Sequence, residues 1–367
     1  MERPTRAIIN LAAVRHNLDE LRSLIPPGTG VIAVVKADAY GHGLVPIARC
    51  LSEAGSSLAV ATAEEAQALR AAAIDAPILI LGPVPEGQIH DAVATGASLT
   101  FHHRPMLKSA AAAAARFGRT VPLHLLVDTG MSRLGFSPEE VPSALAEADA
   151  TPGLFVEGIF THFAKADSPE DPLTLGQIGR FAQLLSTFGK RRWLRHLANS
   201  AGAIHFPEAV YDAIRPGLAL YGVAPSPGTA SRIELRPAMS LETAVAQMRE
   251  FPAGTGIGYG HTFKTGRTSR IAVLPIGYAD GLPWQLSNRG TVLLGGQRCS
   301  IVGRVCMDLT MVDVTEAGGV TVGSPAVLIG SQGGEVITAT EVAETVGTIS
   351  YEIVTRIGPR VRRLVVG

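Results

Sequence analysis

Gly30-Val31-Ile32-Ala33-Val34-Val35-Lys36-Ala37-Asp38-Ala39-Tyr40-Gly41-His42-Gly43 is a β-branched apolar run that delivers one lysine and then breaks into a glycine-flanked polar turn. The pattern is that of a buried strand presenting an amine at its end. An ammonium is costly to desolvate, so a lysine there either reaches water or sheds its charge. A neutral amine is a nucleophile able to form a Schiff base with an aldehyde.

Outward from this stretch, residues 10–225 alternate helical patterns with short β-branched runs. Asn10 is placed to cap a helix in which Leu11, Val14, Leu18 and Leu21 recur at spacings of three and four. Strand-like runs stand at 31–35, 58–61, 78–81, 97–101, 123–127, 156–161, 193–198 and 213–214, with helices such as 64–72 and 105–117 between them. Eight strands separated by helices predict an α/β fold with an N-terminal (β/α)8 TIM-type barrel, in preference to an open doubly wound sheet. The alanine run 110–115 reads as a closely packed outer helix.

Polar residues collect just past these strands: Lys36, Asp128 with Arg133, His162, Asn199 with Ser200, and Arg215. Each alone reads as a turn or capping residue, or, for His162, as a hydrogen-bonded barrel histidine. In a barrel the strand C-termini share one face, so residues far apart in sequence converge there. A composition break at 224–231 reads as a linker, and beyond it strand-like segments dominate at 240–248, 271–275, 291–294, 300–304, 310–314 and 326–329. Thr338 and Glu341 have capping-box spacing ahead of one late helix. The expected organisation is a barrel domain over 1–230 and a smaller, mainly β domain over 231–367.

Composition narrows the partner. The chain has 367 residues, 46% of them hydrophobic, enough for a large core, and its 32 Lys and Arg balance 32 Asp and Glu. With no net field, nucleic acid and anionic membranes are poor partners and a small molecule is the better expectation. The first ten residues lack a signal-peptide apolar segment and no run approaches a membrane span, which predicts a cytoplasmic protein. Cys50, Cys299 and Cys306 are odd in number and lack C-x-x-C spacing, so neither a disulfide framework nor a metal site is expected.

Arg215-Pro216-Gly217-Leu218 joins a strand-end arginine to a Pro-Gly turn. Loops after the last barrel strands often bind phosphate through backbone N–H groups, which makes Gly217 and Leu218 candidates, with Ser200 supplying a hydroxyl; alone, the segment reads as a plain turn. A Schiff-base lysine on the first strand and a phosphate cradle on the last ones describe a pyridoxal 5'-phosphate site. Arg215 then falls near the ring nitrogen. An arginine stays protonated and donates to that nitrogen, which makes a weaker electron sink and suits brief proton removal at Cα.

Several motifs in order carry a family resemblance. The stretch 33–43, Val127-Asp128-Thr129-Gly130-Met131-Ser132-Arg133, Thr161-His162-Phe163-Ala164, Ala198-Asn199-Ser200-Ala201, Arg215-Pro216-Gly217, Gly258-Tyr259-Gly260, Ile276-Gly277-Tyr278-Ala279-Asp280-Gly281 and Val305-Cys306-Met307-Asp308 resemble those of bacterial alanine racemases over nearly the whole chain. The resemblance implies pyridoxal phosphate, a barrel plus β domain, and a homodimer whose active sites take residues from both subunits. It also implies interconversion of L- and D-alanine for peptidoglycan, with Lys36 serving the D-alanine face and Tyr259 of the second subunit the L-alanine face. A phenol ordinarily titrates near pH 10, so a tyrosine base needs positive charge nearby, and the family links it to His162 and Arg215. Tyr40, Ser200 and Tyr351, with the backbone of Gly217 and Leu218, resemble phosphate contacts. Arg133 resembles the residue at the cofactor's phenolic oxygen or the substrate carboxylate, and Met307 and Tyr278 resemble substrate-pocket residues.

One departure stands out. Many family members carry a carbamylated lysine two residues before the Asp-Thr-Gly turn, where this chain has Leu126. Leucine cannot be carbamylated, so Arg133 is expected to be oriented by another anion, chloride or a nearby carboxylate, with activity independent of bicarbonate. A broader amino-acid racemase, a decarboxylase on the same scaffold and a non-catalytic pyridoxal phosphate-binding protein stay open. Arg215 argues against decarboxylation, which needs a stronger electron sink, and Tyr259 against mere cofactor storage.

Overall fold

The computed structural model describes residues 3–367; Met1 and Glu2, which begin the amino-terminal stretch read above, lie outside the described residues. Two units are distinguished: residues 14–39 and 44–236 form one, and residues 3–13, 40–43 and 237–367 the other.

The first unit is the barrel. After β1 (Arg6–Asn10) and the helix Leu11–Ser23 come β2 (Gly30–Val34), β3 (Ser57–Val60), β4 (Ile78–Ile80), β5 (Ser98–Phe101), β6 (Val121–Leu126), β7 (Leu154–Phe160), β8 (Leu194–Asn199) and β9 (Ala213–Arg215). Strands β2 to β9 close into the expected eight-stranded parallel barrel. Closure is a pairing of β2 with β9, Gly30 opposite Ala213 and Val31 opposite Ile214. It is reinforced by Val34 N–H donating to Pro216 O at 2.9 Å and by Tyr221 Oη donating to Val34 O at 2.8 Å. The strands read as continuous apolar runs because both faces are covered, by the barrel interior and by the outer helices. In the helix Met106–Phe117 the buried face is Met106, Leu107, Ala110, Ala113 and Ala114, so the alanines serve close packing. Asn10 Oδ1 accepts from Ala13 N at 3.1 Å, as a helix cap should.

The second unit is mainly β. Its largest sheet runs Gln297–Ser300, Thr291–Leu294, Pro325–Gln332, β10 (Met239–Ala244), β1 and Arg362–Val366, with Glu335–Ile337 attached to Pro325–Gln332. A second sheet joins Gln247–Phe251, Ser269–Leu274 and Thr310–Asp313. This composition differs from a contiguous division at residue 230. β1 pairs antiparallel with β10 and parallel with Arg362–Val366, so hydrogen bonding and not chain position assigns it. The single strand expected over 240–248 is two, because Val245 N–H donates to Ser324 O and Ala246 N–H to Val273 O, moving the chain from one sheet to the other. The strand expected over 300–304 instead ends at Ser300, and Gly303 turns away at φ 75°. Thr338 Oγ1 accepts from Glu341 N at 3.0 Å and caps the helix Ala339–Val346, as its spacing predicts.

Residues 40–43 are held in this second unit by a fit that only glycine permits. Gly41 has φ 80°, and a Cβ there would overlap the Val354 carbonyl oxygen; Arg363 Nη2 donates to Gly41 O at 3.0 Å. Gly41→Ala is expected to lower stability by more than ~2 kcal/mol through left-handed strain plus the backbone clash. Urea unfolding measures this, and an unchanged midpoint would show that the segment shifts freely.

Candidate active site

The C-terminal ends of the barrel strands bring seven of the expected residues into one unit: Lys36, Arg133, His162, Ser200, Arg215, Gly217 and Leu218. Lys36 follows β2 directly. Its amine is held below the usual lysine range by burial first and by Arg133 second, against an opposing pull from Glu65. Ala37, Asp38, Ala39 and Tyr40 all have positive φ, a run that L-residues avoid and that needs outside support. Glu65 supplies it, accepting from Ala37 N at 2.6 Å and from Ala61 N at 2.7 Å, and Asp38 Oδ1 accepts from Leu44 N at 2.7 Å.

Arg215, at the end of β9, is fully buried. Its Nη1 donates to His196 Nδ1 at 2.7 Å and to His196 O; its Nη2 donates to Thr161 O at 2.7 Å and Leu197 O at 3.1 Å, and lies 3.4 Å from His162 Nδ1. The guanidinium carbon sits 4.9 Å over the Phe160 ring. Burial pulls its pKa down to about 9. Every terminal N–H is thus engaged, and among the described residues only Nε–H makes no hydrogen bond.

His162 is driven to about 3 by burial, then by the charges of Arg215, Arg133 and Lys36. It is therefore a neutral imidazole at physiological pH, and with Nδ1 facing a donor its proton belongs on Nε2. Ser200 Oγ accepts from Gly217 N at 2.9 Å and Ala219 N at 3.3 Å, fixing the turn after β9. The Leu218 N–H between them has no acceptor among the described residues. Asn199 is a helix cap, its Oδ1 accepting from Gly202 N at 2.8 Å.

Arg133 is exposed on a loop built by Asp128, whose Oδ1 accepts from the backbone N–H groups of Gly130, Met131 and Ser132 at 2.9 to 3.0 Å. The expectation of a carboxylate orienting Arg133 is corrected: among the described residues no Asp or Glu side chain pairs with it. Asp128, the nearest acid in sequence, is consumed by its own turn. Leu126 is buried, and its carbonyl accepts from Phe136 N at 2.9 Å.

The remaining expected residues belong to the second unit. Tyr40 is buried with its ring 6.2 Å from that of Tyr351, and burial raises its pKa. Tyr259 lies in the turn Tyr259–His261 between Gly258 and Gly260, both at positive φ, and is 70% exposed. Tyr278 and Met307 are 42% and 53% exposed, on neighbouring segments joined by Tyr278 N–H donating to Cys306 O at 3.0 Å. Among the described residues no cluster of three metal-ligating side chains occurs.

The sequence reading missed Glu65, and it missed the residues behind Arg215: His196, His124 and Glu157. Their signal was a histidine set inside each of two apolar barrel strands, which alone reads as a satisfied core histidine.

Comparisons with known proteins agree with this geometry. Residues 9–225 match the family model described as alanine racemase, N-terminal domain, and residues 238–365 that described as alanine racemase, C-terminal domain. The chain is 44% identical to the alanine racemase of Desulforamulus reducens over 375 residues, covering 100% of both. It is 45% identical to that of Symbiobacterium thermophilum over 365 residues, covering 98% of this chain and 97% of the relative. Among solved structures, alanine racemase from Bacillus anthracis with bound L-Ala-P superposes with a TM-score of 0.94 at 38% identity, covering 100% of this chain and 96% of that one.

The electrostatics predict that His162 stays neutral. Its ring nitrogen resonances are expected not to move between about pH 5 and pH 9, where an ordinary histidine titrates near 6.5. A midpoint near neutrality in nitrogen NMR would contradict the burial and charge crowding described above.

Proposed function

The chain belongs to the alanine racemase family, and we propose that it interconverts L-alanine and D-alanine with pyridoxal 5'-phosphate, using Lys36 and Tyr259 as its two acid–base groups. The observation that carries this reading is the desolvated Lys36 amine, set in one strand-end cluster with a buried Arg215 that keeps a single N–H to spare.

The donor set suits that cofactor. Lys36, Arg133 and Arg215 gather positive charge where a phosphate and a carboxylate need it, and the Leu218 N–H stands free in the turn that Ser200 fixes. When bound, pyridoxal phosphate supplies an aldehyde for the Lys36 amine and an electron-withdrawing ring that acidifies the substrate Cα–H. Ser200, Gly217 and Leu218 are assigned to the phosphate, as are Tyr40 and Tyr351 by resemblance. Arg215 Nε–H is assigned to the ring nitrogen, and Arg133 to the phenolic oxygen or the substrate carboxylate.

Racemisation needs a proton taken from one face of Cα and returned on the other. Burial and Arg133 shift Lys36 toward its neutral amine, the form that accepts that proton at Nζ on the D-alanine face. Tyr259 Oη, from a second copy of the chain, takes the L-alanine face, which its exposure in the β unit favours, with Tyr278 and Met307 joining the same pocket. The homodimer, a cytoplasmic location and a role in supplying D-alanine to peptidoglycan are part of this proposal. No helix among the described residues is long and apolar enough to cross a membrane.

Incubation with L-alanine in D2O is expected to place deuterium at Cα and abolish optical activity. Carbon dioxide release, or no exchange, overturns the proposal. Tyr259→Phe should slow the L-to-D direction by about 10²- to 10⁴-fold while leaving the lysine–cofactor absorbance intact. Loss of that absorbance would make Tyr259 a structural residue.

A further inference from the structure

Behind Arg215 a line of hydrogen bonds crosses four consecutive barrel strands. From β9 the guanidinium donates through Nη1 to His196 Nδ1 on β8 at 2.7 Å. His196 Nε2 lies 2.7 Å from His124 Nδ1 on β6, and His124 Nε2 lies 3.0 Å from Glu157 Oε2 on β7. Ser98 Oγ, at the start of β5, donates to the same Glu157 oxygen at 2.8 Å.

The line has one possible polarity. A guanidinium only donates, so His196 Nδ1 must be a bare acceptor and its proton must sit on Nε2. That N–H donates to His124 Nδ1, which in turn puts the His124 proton on Nε2, aimed at a carboxylate that only accepts. Both imidazoles are neutral, and burial together with Arg215 and His124 pushes His196 well below the usual histidine range. The His124 hydrogen bond, aided by Ser98 against the cost of burial, holds Glu157 below its own ordinary range.

The backbone is shaped for this line. Strand register slips between Leu123 and His124, which pairs His124 with Gly158, and a Cβ at Gly158 would overlap His124 Nδ1. His196 is stacked on Phe160, ring centroids 4.7 Å apart and 13° from parallel, under the same ring that faces Arg215. Glu157 is 43% exposed by side chain, so the anion stands half in water while the cation is buried.

We propose that Glu157, His124 and His196 are positioning residues for Arg215, a one-way relay that grips the guanidinium by Nη1, ties its charge to a remote carboxylate and leaves Nε–H for the ligand. The function of that N–H rests on the reading of Arg215 as partner of the cofactor ring. Hydrogen bonds in series polarise one another, so Glu157 acts on Arg215 without touching it.

Nitrogen NMR of the holoenzyme labelled with [15N]histidine tests the relay directly. His196 and His124 are expected to be neutral and protonated on Nε2 alone. Glu157→Gln keeps an acceptor and should preserve both tautomers and most of kcat. Glu157→Leu removes it, so His124 should lose its fixed tautomer and kcat should fall about tenfold with KM little changed. Gly158→Ala, which displaces the His124 ring without removing any polar group, should produce the same spectral change. A wild-type His196 protonated on Nδ1 overturns the relay, as do unchanged tautomers and kcat in Glu157→Leu. Correct tautomers in a protein that leaves alanine Cα–H unexchanged would instead overturn the racemase reading and leave the relay standing.

Discussion

A guanidinium donates hydrogen bonds and never accepts them, and burying one makes that asymmetry govern its surroundings. Arg215 has no carboxylate in ion-pair reach among the described residues. Its charge is met by carbonyl oxygens, an aromatic face and one imidazole nitrogen, an arrangement that stabilises a cation only if every acceptor is in place. Two strand ends are therefore committed to it: Thr161 just past β7, and His196 and Leu197 on β8.

The same cation sets the chemistry of its neighbours. Lys36, Arg133, Arg215 and His162 crowd one barrel mouth: beyond burial, Arg133 holds the Lys36 amine down, and Arg215, Arg133 and Lys36 together keep His162 from charging. The mouth is thus short of negative charge, and a ligand carrying phosphate and carboxylate completes it. Glu65 is the acid that pulls the other way on Lys36, and its carboxylate is already spent on two backbone N–H groups. It holds the left-handed turn in place and leaves the amine short of a full counter-charge, a condition that favours a nucleophile over an ion pair.

How much of this was legible depended on how local the signal is. All eight barrel strands could be read because strands covered on both faces are written as continuous apolar runs. The strand-end residues could be read because barrel geometry gathers them on one face. β1 could not, since a short strand takes its place from its partners, and both of these lie more than two hundred residues downstream. The split of 240–248 was hidden for the same reason: continuous β-propensity carries no mark at the point where the chain changes sheets. His124 and His196 were visible as residues but not as a pair. Their relation depends on a register slip and on Gly158, features that no spacing rule connects.

Leu126 and Arg133 show where local and distant control separate. With leucine at 126 there is no side-chain anion to fix Arg133 from its own strand, and Asp128 spends its oxygen on three backbone N–H groups. Arg133 thus has no acidic side chain paired with it among the described residues, whereas Arg215 is gripped by acceptors on β8 and just past β7. The consequence for the proposed proton transfer is asymmetric. His162 is neutral and presents Nε2–H, so any phenolate brought to it gains a hydrogen bond from the imidazole but draws its positive charge from Arg215 behind. A protonated histidine would have supplied both from one ring, but it would also have titrated with the medium. Placing the charge on a guanidinium and the hydrogen bond on a neutral imidazole separates the two tasks and keeps both constant through the neutral pH range.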